Sequence, residues 1–350
     1  GYDGVSIHAP NHLYGGPDGL KRLIDSCHER GLAVVVDVVY NHMGSEGNYL
    51  AKFGPYFTGP GTAWGFGPTM QGEHAPAVRQ FFIDNALMWL RDYHADGLRL
   101  DAIDKVVDNS AKHFLIELIE AVGKLSSATW KRVLTAESPS NDPVFVKPLA
   151  EGGYGLEAHW VDDFHHATRT TFTGERHGYY IDYRGAEDLV TALRQGAVYE
   201  GQHSEHLGKP RGKSLTGLPP STFLICFQNH DQIGNRPTGD RFSHHPEATL
   251  VQQQIGSAFT LLSPFTPMIF MGEEWAASTP FQFFTDHQDP ELAASVGEGR
   301  RKEFGGEEWS GEIPDPQHPS CYSNSKLIWE ERHTSPHREI LGWYSELLRF

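Results

Sequence analysis

The chain has 350 residues, 29 Lys plus Arg against 45 Asp plus Glu, and a formal net charge of −16. That length exceeds what one hydrophobic core requires and fits one large domain or two ordinary ones, and the 39% apolar and 21% charged content is that of a globular protein. An acidic chain without a Lys/Arg block is unsuited to phosphate backbones or anionic membrane surfaces, whereas 12% aromatic residues among many carboxylates suit a neutral sugar.

The first predicted element is a helix over residues 19–30, with Leu20, Leu23, Ile24 and Cys27 at helical spacing and Gly31 placed to stop it. A near-continuous apolar run follows at 32–36, of the kind a strand buried on both faces shows, and it ends in Asp37–His42 as DVVYNH. Residues 44–76 are rich in Gly, Pro and aromatics and read as a long loop on a binding face. A helix over 82–93 puts Phe82, Ala86, Trp89 and Tyr93 on one face and leads into the strand 97–101. A third helix, 111–125, precedes the strand 133–137. Later strands are expected at 158–161, 223–227 and 268–271, with a second long polar connection over 196–220 and a helical stretch from 338 to 350.

Repeated strand-then-helix order with buried-type strands predicts a parallel α/β fold, either an open doubly wound sheet or a closed (β/α)8 TIM barrel. No G-x-G-x-x-G or Walker-type run follows any strand, which removes the usual nucleotide-binding reason for an open sheet. Acidic and His residues end at least four strands instead, the placement expected of a barrel's single catalytic face. The barrel is therefore the expected architecture.

Arg99 and Asp101 lie two apart on one strand and point the same way, with Leu98 and Leu100 turned to the helices. An Arg beside an Asp keeps the carboxylate ionised, as a nucleophile requires. Glu137 ends the next strand in otherwise apolar company, a setting that favours a general acid. His230 and Asp231 sit in a run of five polar residues after 223–227. Each signal alone also fits a plainer role: an internal ion pair, a buried structural Glu, a polar turn. Together they match glycoside hydrolysis, in which neighbouring strands set two carboxyls about 5–5.5 Å apart for a retaining mechanism. Asp231, His42 and His230 then serve as holders of sugar hydroxyls.

At these residues the sequence resembles the α-amylase superfamily, glycoside hydrolase family 13. The runs DVVYNH (37–42), GLRLDAID (97–104), AESP (136–139) and FQNHDQ (227–232) are similar to its four signature regions and come in its order. The resemblance implies Asp101 as nucleophile, Glu137 as acid/base and Asp231 as transition-state stabiliser, with His42, Arg99 and His230 lining the subsite of the distorted sugar and Tyr2 stacking on it. Three further stretches, 162–167 (DDFHHA), 229–236 (NHDQIGNR) and 279–287 (TPFQFFTDH), together with 299–304, resemble the branch of the family that acts on maltooligosyltrehalose. That branch implies cleavage of the α-1,4 bond next to a terminal trehalose, with Asp162, Asp163, His165 and His166 as trehalose-side contacts. The alternative is another member of the superfamily, an α-amylase or a branching enzyme, acting on related α-glucans.

No cofactor and no metal is expected, because carboxylates supply the acid–base chemistry and the His pair 165–166 has no third ligand at a suitable spacing. Cys27, Cys226 and Cys321 are odd in number and without C-x-x-C spacing, so a reducing, cytoplasmic setting is expected. The chain opens without an initiator Met. In the family, the first signature region falls on the third barrel strand. The resemblance therefore implies one catalytic barrel domain over 1–350, incomplete at its N-terminus, with the first two strands and the flanking N- and C-terminal β-domains absent.

Overall fold

The computed structural model describes residues 4–304 and 312–350. The chain divides into two compact units, Tyr2–Trp160 and Val161–Phe350, the latter joined by Gly1.

In the first unit, helix α1 spans Gly16–His28, opens on Gly15 in the left-handed region with a Pro in its first turn, and buries Ile24. Its end is fixed by Gly31 at φ +71°, where the Gly31 and Leu32 N–H groups donate to the carbonyls of His28 and Cys27. Only a residue that tolerates positive φ makes this Schellman turn cheaply, so Gly31 stops the helix as its position predicts. Strands β1 (Val35–Val38), β2 (Gly97–Leu100), β3 (Val133–Glu137) and β4 (Ala158–Trp160) are parallel neighbours in that order. Helix α2 (Ala75–Leu87), extended by a π-turn at Met88–Asp92, connects β1 to β2, and α3 (Phe114–Gly123) connects β2 to β3. Phe82, Leu90, Leu98, Leu100, Phe114, Leu115 and Leu118 form the fully buried layer between sheet and helices. A Cβ at Gly97 would lie 2.5 Å from the Val133 carbonyl oxygen, so glycine alone permits this approach of β2 to β3.

The register sets the chemistry. Arg99 lies level with Asp37 on one side and Thr135 on the other, and Glu137 lies level with Trp160. Side chains alternate across a strand, so Asp37, Arg99 and Asp101 share one face while Leu98 and Leu100 share the other. The long 44–76 connection carries a 3-10 turn at Leu50–Lys52 and a bridge between Met43 and Phe66. Buried Arg79 ties its end down, donating to the Met70 and Lys112 carbonyls and pairing with Asp108 and Glu117.

The strand expected at 32–36 departs from its pattern. The 32–36 run is not buried on both faces: Leu32 is 57% and Val35 51% exposed, and the strand itself begins only at Val35. Among the described residues of this unit β1 is the outer strand, paired with β2 on one side, so its apolar side chains lack a second neighbour.

The second unit begins with α4 (Asp163–Thr173) and α5 (Ala186–Gln195), which pack on each other. The 196–220 connection, expected as an irregular loop, contains a short antiparallel hairpin of β5 (His203–Ser204) and β6 (Lys209–Pro210). Strand β7 (Phe223–Cys226) runs into the short helix α6 (His230–Gly234), and α7 (Leu250–Leu261) is started by a Thr249/Gln252 capping box. Strand β8 (Thr266–Met268) pairs in parallel with β7 and begins two residues before the expected 268–271, because Thr266 and Pro267 take up the ladder positions opposite Leu224 and Ile225. Helices α8 (Pro290–Phe304), α9 (Pro319–Asn324) and α10 (His337–Leu347) follow. The main core of this unit gathers Phe164, Ala167, Tyr183, Leu189, Phe223, Ile225 and Phe265. No helix among the described residues is long and apolar enough to cross a membrane.

Candidate active site

Arg99 organises the first of two polar groups. Its Nη1 lies 2.9 Å from both carboxylate oxygens of Asp37 and 2.7 Å from Asp101 Oδ1, and its Nη2 lies 3.2 Å from Glu137 Oε2. The Trp160 ring centroid is 4.5 Å from the guanidinium carbon, so a π-face covers the cation as well. Arg99 is 3% exposed, and burial works against its charge, yet Asp37, Glu137 and Asp101 together hold its pKa above the usual arginine value. This buried cation therefore stays charged and binds three carboxylates at once.

Asp101 is 4% exposed and fixed from several directions. Its N–H donates to the Val38 carbonyl, its Oδ1 accepts from Arg99, and its Oδ2 accepts from Asn41 Nδ2 at 3.2 Å. The next residue, Ala102, stands in the left-handed region at φ 38° and ψ 47°, which aims its N–H at Glu137 Oε2 from 2.7 Å. Asp101 and Glu137 are thus joined twice, through the Arg99 guanidinium and through one peptide. The apolar surroundings expected for Glu137 are not present: its carboxylate pairs with a guanidinium and a backbone N–H. The sequence shows Glu137 on an apolar strand but not that the β2 turn reaches it.

His42, just beyond β1, is buried, with Nδ1 2.6 Å from Asn41 Oδ1 and its ring 5.8 Å from that of half-exposed Trp64. Tyr2 lies outside the described residues. Asn41 and Asp37 lie inside the first signature run without having been singled out. A lone Asp on an apolar strand was the available signal for Asp37, whereas nothing in the pattern marks Trp160.

The second group lies in the Val161–Phe350 unit. Asn229 caps α6, its side chain accepting from the N–H groups of Asp231 and Gln232 at 2.9 and 3.1 Å. This cap presents His230 and Asp231 in the first turn, both partly exposed, with His230 Nε2 3.7 Å from Asp231 Oδ1. Asp162, half-buried, accepts from Gln232 Nε2 at 3.1 Å. Burial raises its pKa to about 6; the charge of Arg211 opposes that shift, and those of Asp231 and Asp163 add to it.

Asp163, His165 and His166 are placed differently from Asp162, inside the unit. Asp163 is fully buried: Oδ1 accepts from Tyr183 at 2.6 Å and from Arg211 at 2.7 Å, and Oδ2 from the Val198 and Tyr199 N–H groups. His165 bridges the Phe227 carbonyl and the Tyr180 hydroxyl, and burial drives its pKa down to about 3. His166 meets the Tyr183 hydroxyl at 3.0 Å and packs against Tyr179. Asp163 and His165 spend their polar atoms on the protein's own groups, whereas the buried His166 Nε2 has no hydrogen-bond partner here. Asp162 keeps accessible surface. Among the described residues no three or more His, Cys, Asp or Glu side chains are arranged to hold a metal ion.

Comparison with known proteins places these residues in context. The family model for the α-amylase catalytic domain matches residues 1–64. The malto-oligosyltrehalose trehalohydrolase of Mycobacterium tuberculosis is 45% identical over 99% of this chain and 60% of its own length. The protein of the same name from Deinococcus radiodurans is 47% identical over 100% of the chain and 57% of its own. A crystal structure from Salmonella typhimurium, provisionally named an alpha amylase, superposes with a TM-score of 0.91 at 41% identity, covering 100% of this chain and 59% of that one. The chain thus spans about three fifths of the length of the curated relatives it matches.

Proposed function

We propose that this chain belongs to the α-amylase family and that the protein it represents is a retaining glycoside hydrolase that cleaves the α-1,4 bond next to the terminal trehalose of a maltooligosyltrehalose. The observation that carries the reading is the Arg99-centred pair of carboxylates, Asp101 and Glu137, held on adjacent strands by one guanidinium and one N–H. Names borne by relatives more than 40% identical over nearly the whole chain support the trehalose-releasing branch.

In this mechanism Asp101 attacks the anomeric carbon while Glu137 gives its proton to the departing glycosidic oxygen, which leaves with trehalose. A covalent glycosyl–Asp101 ester results. Glu137, now a base, takes a proton from water, whose oxygen attacks the same carbon and frees Asp101, with net retention. Asp231 stabilises the oxocarbenium-like transition state, and His42, His230 and Asp162 hold hydroxyls. Arg99 keeps the two reacting carboxylates in place.

The same reading makes the parallel strands part of a closed (β/α)8 barrel, with β1 as its third strand, since β1 leads into the first signature run. Three unpaired cysteines support a reducing, cytoplasmic setting. The substrate is a neutral α-glucan, with nucleic acid, membrane and cofactor having no part. Replacing Asp101 by Asn in the full-length protein tests the core of the proposal. Turnover is expected to vanish while oligosaccharide binding persists; undiminished hydrolysis removes Asp101 as nucleophile.

A further inference from the structure

Asn41 links two residues of the site, and its amide can be oriented in only one way. One end of the amide lies 2.8 Å from the Asp101 backbone carbonyl oxygen and 3.2 Å from Asp101 Oδ2. A carbonyl cannot donate, so this end must be the NH2 group, giving one hydrogen to each oxygen. The opposite end is then the amide oxygen, which has only lone pairs to offer and stands 2.6 Å from His42 Nδ1. His42 Nδ1 must therefore carry a hydrogen, and in the neutral ring Nε2 is left with the lone pair. Asn41 and His42 are both 1% exposed, so both bonds are shielded from bulk solvent.

We propose that Asn41 is a positioning residue that couples the orientation of Asp101 to the tautomer of His42, making His42 Nε2 an acceptor that selects a hydroxyl donor on the substrate. Any group His42 holds through Nε2 must then bring its own hydrogen, as a sugar hydroxyl does and a carboxylate does not. The same amide fixes the Asp101 oxygen that Arg99 leaves, because Arg99 takes Oδ1 and Asn41 takes Oδ2. The kinetic consequence rests on Asp101 being the nucleophile; the tautomer does not.

The experiment has two arms on the full chain. With 15N-labelled histidine, long-range proton–nitrogen correlation spectra, assigned through a His42→Gln variant, are expected to show His42 protonated at Nδ1 and bare at Nε2. A ring that carries a hydrogen on Nε2, with or without one on Nδ1, overturns the proposal without any substitution at Asn41. Asn41→Asp keeps the acceptor for His42 but sets an anion against Asp101, so kcat is expected to fall about 100-fold, with KM little changed and Nδ1 still protonated. Asn41→Leu loses both bonds and is expected to release the tautomer as well. Parent-like kcat in a folded Asn41→Asp protein overturns the coupling. Should Asp101→Asn remain active while His42 keeps its Nδ1 hydrogen, the reading of the nucleophile has failed and the tautomer assignment stands.

Discussion

At Ala102 the backbone adopts a left-handed conformation that an L-residue with a Cβ reaches at a cost of about 1–2 kcal/mol, and the return is an N–H bond to Glu137. Strain of this kind persists where the surroundings over-determine it, here because Asp101 before it is pinned by Arg99 and Asn41. A β-branched side chain suffers more at positive φ. Ala102→Val is expected to lower stability by about 1–3 kcal/mol in urea unfolding. Activity is expected to fall with it, because the N–H no longer reaches Glu137. Unchanged melting and turnover would show that the turn relaxes freely. Among residues, the ones legible in the sequence were those whose own chemistry is loud: Arg99, Asp101, Glu137, His230, Asp231. Asn41 and Trp160 were not legible, because their roles depend on which neighbour the register brings level, and no periodicity reports that.

At the scale of elements, the start of α4 shows why a run of Asp and His reads ambiguously. Asp163 anchors the 196–211 segment through the Val198 and Tyr199 N–H groups and through Arg211, in an ion pair with both side chains almost wholly buried. Removing one partner strands the other charge, so Asp163→Asn is expected to cost about 3–5 kcal/mol of stability. Adding Arg211→Met is expected to restore part of it. Chemical denaturation of the single and double variants checks this, and equal stabilities would contradict it. The hairpin β5–β6 escaped the sequence reading because its strands are two residues each and carry no alternation.

Glu273, at the head of a 3-10 turn, is another buried carboxyl. It is 1% exposed, and burial pushes its pKa up to about 8 against the pull of its bonds to Tyr344 and Gln228. Folded, it keeps its proton up to about pH 8; unfolded, it loses it near 4.5. Its contribution is thus fully present below about pH 4.5 and is lost progressively as pH rises to about 8, since the unfolded chain alone gains from ionising. Glu273→Gln removes this pH-dependent contribution, and unfolding midpoints across that window are expected to fall less steeply with pH than in the parent. An identical slope would place the proton elsewhere.

For the whole molecule, the strand–helix alternation identifies the broad class correctly: parallel strands, helices between them and carboxylates at strand ends. The exposed face of β1 departs from the 32–36 pattern taken alone, because an apolar run states what a strand prefers to touch and not whether a neighbour is there. The central claim is that the carboxylates of this chain serve a hydrolase that recognises a terminal trehalose. Its most direct test is product analysis of the full-length protein on maltotriosyltrehalose beside maltopentaose. The account predicts trehalose as the dominant product, with maltopentaose cut far more slowly. Equal cleavage of the two substrates, without preferential release of trehalose, would contradict it.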